Sequence, residues 1–500
     1  MLFNSPEFIF VYLPVTLVLF YVIGRYDIRY AAGFLAVASL VFYARWDYRC
    51  VPLLVCSILF NFFIGRKISN LLRVECALGA RRWLVGALAG NLALLAYYKY
   101  TGFLLASINS AFGQTIPIPE VVLPLGISFF TFTQIAYLVD SYYGKVREAS
   151  LLHYTLFVTY FPHLIAGPVL HHKEMMPQFG NRSVYHFDAN RFTQGSLLFL
   201  LGLAKKVILA DRFGQLAAAG FMGAAQGHAL TLFEAWGAAL CYTYQLYFDF
   251  SGYSDMAIGL GRLIGVELPI NFYSPYKATN IIEFWRRWHI TLSRFLRDYL
   301  YIPLGGSRKG EPRRYVNLMI TMLLGGLWHG AGWTFVIWGA YHGILLALNH
   351  LWQAGKVRLG AVKLSFARYL LPFSWALTFL SVVVGWVFFR SSSFAAGLLM
   401  VKGMLGENGI ALPSQIVRMF PMLGRIATSQ GSVPFLGDGS VMGCFELALM
   451  ISIGTVIVIA CPNLYQMKRR THFLLVALVF AFTMQKVIFS EKSEFLYFQF

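Results

Sequence analysis

Two histidines stand where ionisable side chains are costly. His329 sits in the run Leu324-Gly325-Gly326-Leu327-Trp328-His329-Gly330-Ala331-Gly332, within an apolar stretch. At membrane depth such a group marks a candidate functional site by default. His289 ends Glu283-Phe284-Trp285-Arg286-Arg287-Trp288-His289, a segment too charged for lipid exposure and too aromatic for an ordinary loop. Neutral imidazole can take a proton from an attacking hydroxyl, and a second imidazole can stabilise a developing oxyanion. The plain alternatives are a core histidine bonded to a backbone carbonyl for His329 and a surface histidine at the membrane interface for His289.

The elements that must hold these residues follow from composition. The 500 residues are 58% hydrophobic and 13% charged, far more apolar than a soluble chain of that length requires. Apolar segments near bilayer length recur from Glu7 onward, without the alternation of a barrel strand. The class expected is an all-α polytopic membrane protein, organised as one integral domain over residues 1–500. The start, Met1-Leu2-Phe3-Asn4-Ser5-Pro6-Glu7, has no positive region and no small-residue cleavage site, so the first helix reads as retained. Six scattered cysteines without a C-x-x-C pair signal neither a disulfide framework nor a metal site. The net charge of +19 falls in short connections between apolar runs. It speaks for topology and anionic lipid rather than for nucleic acid.

Helices are expected at Phe8–Gly24, Tyr30–Ala44, Val51–Ile64, Trp83–Tyr98, Pro119–Val139, Leu151–Val169, Phe192–Leu209, Leu230–Phe250, Val316–Leu327, Thr334–Trp352, Tyr369–Phe389, Cys444–Ala460 and His472–Ile488. Arg66, Lys67, Arg73, Arg81 and Arg82 mark a cytoplasmic loop, as do Lys356, Arg358, Lys363 and Arg368, and Lys468-Arg469-Arg470. The last helix then carries residues 490–500 to the outer face. Residues 390–443, rich in Gly, Ser and Pro, read as an extracytoplasmic loop. Residues 271–314 are basic and aromatic, and Phe284, Trp285, Trp288, Leu292, Phe295 and Leu296 are spaced for one helical face. They read as amphipathic or re-entrant helices at the cytoplasmic face. The run Val316–Leu327 is about a dozen residues, roughly 18 Å, short of a ~30 Å core. It would end inside the bilayer and leave His329 at depth.

Several blocks together resemble a known family. They are Pro124-Leu125-Gly126-Ile127-Ser128-Phe129-Phe130-Thr131-Phe132, Ala166-Gly167-Pro168, Tyr247-Phe248-Asp249-Phe250-Ser251-Gly252-Tyr253-Ser254-Asp255-Met256-Ala257, the block 283–293 and Trp328-His329-Gly330. In this order they are similar to the membrane-bound O-acyltransferases, in the bacterial polysaccharide branch typified by the alginate O-acetylation membrane subunit. The resemblance implies a ring of about 11–13 transmembrane or re-entrant helices around a thin centre with a tunnel. It matches His329 to the family's invariant histidine and His289 to its second one. It implies a cytoplasmic thioester donor, acetyl-coenzyme A or an acyl carrier protein, as substrate. No bound cofactor is expected.

In that frame His329 is the general base, and burial favours the neutral form it needs. His289 orients the thioester or stabilises its oxyanion. Arg286 and Arg287 are candidates for donor phosphates, with Trp285 and Trp288 beside them; simple positive-inside anchoring is the alternative. Asp249 and Asp255 are expected to pair with arginines. Adjacent His171 and His172 rarely point at one ion, so no metal is expected. His163 and His342 read as structural. The tail Phe495-Leu496-Tyr497-Phe498-Gln499-Phe500 is aromatic where chain ends are usually polar. It resembles a C-terminal motif of the same branch and of a small companion in teichoic-acid D-alanylation. The resemblance makes Tyr497 an acyl acceptor and relay; an aromatic interface anchor is the alternative.

The expectation is an acyltransferase, acetyl by resemblance, in the plasma membrane of a bacterium (the inner membrane if Gram-negative). Its acceptor would be a secreted or cell-surface polysaccharide, reached through an extracytoplasmic SGNH or serine-esterase-type partner. Two rivals stay open. A carrier or flippase for a polysaccharide precursor would favour internal repeats and paired broken helices, which the sequence does not display. A direct acyltransferase on lipid or protein would need no outward relay.

Overall fold

The computed structural model describes residues 1–146, 150–165, 167–358, 370–430, 433–437, 439–466, 473–489 and 493–496. They form a helical protein, with one short parallel strand pair, Ala411–Pro413 with Thr428–Gln430. Five helices among them are long and apolar enough to cross a membrane: Phe8–Tyr26, Tyr48–Arg73, Ala189–Ala225, Leu371–Arg390 and Val441–Ile459. The chain is a multi-pass, all-α membrane protein.

Most expected helices are present with shifted ends, and four differences matter. Thr101–Phe112 is helical where connection was expected. The expected helix at Leu151–Val169 breaks at Tyr160 into Leu151–Thr159 and Phe161–Leu164, with Pro162 in the first turn of the second. The helix begun at Ala189 continues through a π-helical stretch, Lys205–Ala210, into Asp211–Ala225. The stretch 390–443 is no open loop. It carries the helices Phe394–Met404 and Ser414–Met419, and Ala396, Met400 and Ile416 are buried. Its polar groups are answered by other parts of the unit: Trp236 Nε1 donates to the Met404 carbonyl and Asn408 Nδ2 to that of Leu230 (both 2.9 Å).

The described residues group into two compact units: those within Met1–Ala204, Gly252–Asn271 and from Ala477 onward in one, those within Lys205–Ser251 and Phe272–Val476 in the other. The helix Leu232–Ile264 contributes to both. In the first unit, helix backbones approach through glycine. A Cβ at Gly202 would lie 2.6 Å from the Gly252 carbonyl oxygen, and one at Gly259 would lie 2.6 Å from the Phe199 amide nitrogen. Close backbone approach at small residues is how membrane helices gain dispersion contact without a hydrophobic driving force. A buried amide cluster adds polar bonds. Asn61 Nδ2 donates to Gln134 (3.0 Å) and Asn91 (3.1 Å), and Gln134 Nε2 donates to Ser57 (2.9 Å). These link three helices and leave the amides satisfied.

The second unit holds both histidines. Gly310 at φ 86° and Pro312 in the first turn start the helix Glu311–His329. The chain turns at Gly330–Gly332 and returns as Trp333–Arg358. The two arms of this hairpin touch backbone to backbone. A Cβ at Gly326 would run into the Phe335 carbonyl oxygen, and one at Gly339 into that of Met322. At 19 residues the first arm is about 28 Å long. The short helix expected at Val316–Leu327 is therefore corrected. Pro312 is tolerated in a first turn, where its missing N–H has no helical partner, so the charged start 311–315 is helical too.

Candidate active site

His329 is the last residue of its helix and 5% exposed. Its ring meets aromatic edges on several sides: Trp328 at 5.0 Å, Trp338 at 5.1 Å and Phe389 at 5.3 Å between centroids. Trp338 comes from the return arm of the hairpin and Phe389 from Leu371–Arg390. The His289 ring lies 6.3 Å from that of His329. The structure thus brings together the two histidines singled out in the sequence.

His289 is placed by a break. Asn280 caps the helix Ile281–Arg287 by accepting from the Glu283 amide (2.9 Å), and the Glu283 carboxylate accepts from Thr279 N–H (2.9 Å) and Oγ1 (3.1 Å). This is the reciprocal logic of a capping box. The helix ends at Arg287, whose carbonyl accepts from the Tyr273 amide (2.9 Å). His289 then takes φ 43°, ψ 53° and starts a second short helix, Ile290–Leu296. The single helical face suggested by the spacing is two helices of seven residues, each about 10 Å long and too short to span a bilayer. A left-handed residue with a Cβ costs about 1–3 kcal/mol and clusters at functional sites. His289 is no surface histidine. It is 0% exposed, edge-on to Phe250 at 4.7 Å and near-parallel to Phe272 at 6.3 Å. Burial pushes its imidazole down to about 3, so it is neutral at physiological pH, with one ring N–H donor and one ring-nitrogen acceptor.

The other expected site residues divide. Trp288 is buried, stacked on Phe284 at 5.7 Å and 4.8 Å from Trp386. Trp285 packs against Trp338 at 5.7 Å and His342 at 5.3 Å. Both tryptophans are walls of the same aromatic enclosure. Arg287 is held by Glu283 at 2.6 Å, whereas Arg286 is exposed. Asp249 pairs with a lysine rather than an arginine. Lys206 Nζ, on the π-helical stretch, lies 2.7 Å from Asp249 and 2.8 Å from Asp211. Asp255 is buried. His163 Nε2 is 2.9 Å from the Phe157 carbonyl, and His172 Nδ1 is 3.2 Å from Asp140. Tyr497 lies outside the described residues. The tail immediately before it is seated in the first unit. Phe495 stacks on Tyr253 at 4.6 Å, Tyr253 stacks on Phe3 at 4.7 Å, and Asn4 Nδ2 donates to the Ser493 carbonyl (3.2 Å).

Sequence reading missed Phe250, Trp338 and Phe389 as walls. Trp338 and His342 carried a signal, since four residues apart on a helix share a face. Phe250 and Phe389 carried none, because only the fold brings them to the histidines.

Residues 120–388 match the family described as MBOAT, the membrane-bound O-acyltransferase family. The whole chain is 38% identical to a peptidoglycan O-acetyltransferase of Helicobacter pylori, of which it covers 98%. Over 81% of its length it is 44% identical to a probable alginate O-acetylase AlgI of Pseudomonas aeruginosa, covering 75% of that protein. The chain belongs to the membrane-bound O-acyltransferase family. It is an acyltransferase, and both histidines fall within the matched residues. A teichoic acid D-alanyltransferase of Streptococcus thermophilus is 30% identical over 46% of the chain and 58% of its own.

Proposed function

We propose that the protein moves an acetyl group from a cytoplasmic thioester, acetyl-coenzyme A or an acyl carrier protein, to a secreted or cell-surface polysaccharide by way of Tyr497. The observation that carries the reading is the buried pair His329 and His289, 6.3 Å apart inside aromatic walls. Relatives named for O-acetylation of peptidoglycan and of alginate support the acetyl group and the polysaccharide acceptor. The seating of Phe495 and Leu496, 3% and 6% exposed, supports a tail that is drawn into protein rather than trailing in solvent.

In this reading His329 removes the Tyr497 phenolic proton as the phenolic oxygen attacks the thioester carbonyl. His289 donates a hydrogen bond to the oxyanion that forms. The carbon–sulfur bond breaks, and the thiolate leaves with the proton from His329. Arg286 contacts donor phosphates from the exposed side. Trp285 and Trp288 enclose the donor. The tyrosyl acetate is a reactive aryl ester. A separate SGNH or serine-esterase-type enzyme outside the membrane takes the acetyl onto its serine and then onto the sugar. The protein resides in a bacterial plasma membrane with its C-terminus outside.

The test is intact mass of the purified protein after incubation with labelled acetyl-coenzyme A, for wild type, His329→Ala and Tyr497→Phe. One acetyl adduct on the C-terminal peptide of wild type, absent from both variants, is expected. An adduct that survives Tyr497→Phe sinks the relay. Label reaching an added acceptor without any adduct, in a His329-dependent way, replaces it with direct transfer.

A further inference from the structure

His342 was expected to be structural, and its surroundings do not support that. It is 0% exposed, and neither ring nitrogen has a hydrogen-bond partner among the described residues. A neutral imidazole carries one donor and one acceptor, and buried polar atoms in folded proteins are nearly always satisfied. Rings surround it and none of them bonds to it: Trp338 at 4.9 Å, Trp285 at 5.3 Å, Tyr341 at 5.6 Å, Trp386 at 6.1 Å and Phe284 at 6.4 Å. The indole N–H groups of Trp285 and Trp338 are also buried without partners among the described residues. Three polar side chains thus sit unsatisfied in one aromatic box, and Trp338 is shared with His329 at 5.1 Å. Beside them stands a glycine. A Cβ at Gly385 would lie 2.8 Å from His342 Nε2.

We propose that Trp285, Trp338 and His342 form a subsite beside His329 for an uncharged, carbonyl-bearing part of the acyl donor, with His342 as the positioning residue. The chemistry of the box selects the ligand class. Indole N–H groups and a neutral imidazole match amide or thioester carbonyl oxygens. None of these ring neighbours is charged, and an ionised carboxylate or phosphate is disfavoured in such surroundings. This inference rests on the thioester reading for the identity of its ligand, but the unsatisfied nitrogens stand without it.

The experiment compares wild type, His342→Phe, His342→Gln and Gly385→Ala in detergent. Thermal melts are recorded alone and with S-acetyl-N-acetylcysteamine, a neutral thioester with one amide. Apparent KM and kcat for acetyl-coenzyme A are measured alongside. Without ligand, His342→Phe is expected to melt higher than wild type, because it removes an unsatisfied imidazole from an aromatic box. The small thioester should raise the melting temperature of wild type and His342→Gln but not of His342→Phe. Loss of one buried hydrogen bond raises KM about tenfold, more than kcat falls, and His342→Gln restores part of it. Gly385→Ala, which crowds Nε2, should follow His342→Phe.

A His342→Phe variant that melts lower than wild type would mean the imidazole has a structural partner, and the proposal falls. A shift by the small thioester that is equal in wild type and His342→Phe also overturns it. If acetyl-coenzyme A gives no turnover while the His342-dependent shift persists, the coenzyme A donor is wrong and the subsite stands. If turnover is normal and neither shift nor KM depends on His342, the subsite is wrong and the donor reading stands.

Discussion

His289 offers a quantitative test because burial alone sets its titration. Its folded value is about 3 against 6.5 when unfolded. Between those values the unfolded chain binds a proton that the folded chain refuses. The stability this group contributes is therefore complete above about pH 6.5 and is lost as pH falls toward 3. From pH 7 to pH 5 the expected loss is about 2 kcal/mol, taking 1.36 kcal/mol per unit and the partial protonation near 6.5. Other groups titrate in the same window, so the informative quantity is a difference of differences. His289→Asn keeps a small polar residue that tolerates the left-handed backbone at φ 43°, and it does not titrate. Urea unfolding in detergent micelles, read by tryptophan fluorescence at both pH values, should show wild type losing about 2 kcal/mol more than the variant. Equal losses would mean that His289 protonates in the folded state. It would then be solvated, and the proposed role of a neutral donor to an oxyanion would fail with it.

Three further outcomes are expected. His329→Ala should lower acyl transfer by at least about 10²-fold, the contribution of a positioned base, while the melting temperature stays near wild type; rapid transfer by a well-folded His329→Ala protein would remove it from the chemistry. Lys206→Met removes the ammonium 2.7 Å from Asp249, whose side chain is 2% exposed, and should cost about 3–5 kcal/mol in the same urea assay, whereas adding Asp249→Asn and Asp211→Asn should recover most of it. Gly202→Val pushes a branched side chain to within 2.6 Å of the Gly252 carbonyl, so it should cost about 3 kcal/mol or prevent accumulation of folded protein, and a variant as stable as wild type would contradict that helix contact.

The class and most helices were legible because apolar length is written residue by residue. Errors fell where local signals conflict with packing. The charged start at Glu311 hid the first turns of the His329 helix. Gly, Ser and Pro in 390–443 read as loop, although residues such as Met400 and Ile416 are buried there. The helix expected to end at Leu209 runs on through Lys205–Ala210 to Ala225, with Lys206 neutralised by Asp249 and Asp211. Ion pairing across elements has no trace in local hydropathy.

The site divides along the same line. Residue type alone exposed His329 and His289, since an imidazole in apolar or tightly aromatic sequence needs a reason to be there. Their meeting was not legible, because it depends on two backbone events. One is the left-handed turn at His289 itself, which no glycine announces. The other is the glycine contact between the hairpin arms, which brings Trp338 against His329 from the opposite helix. The enclosure that results sets Trp328, Trp338 and Phe389 around His329. His329 is 5% exposed there, so little water competes for its proton. In the proposed reaction such a site keeps its base neutral and its reactants dry. In the proposed subsite the nitrogens of His342, Trp285 and Trp338, without partners among the described residues, would each gain a hydrogen bond from a bound carbonyl group.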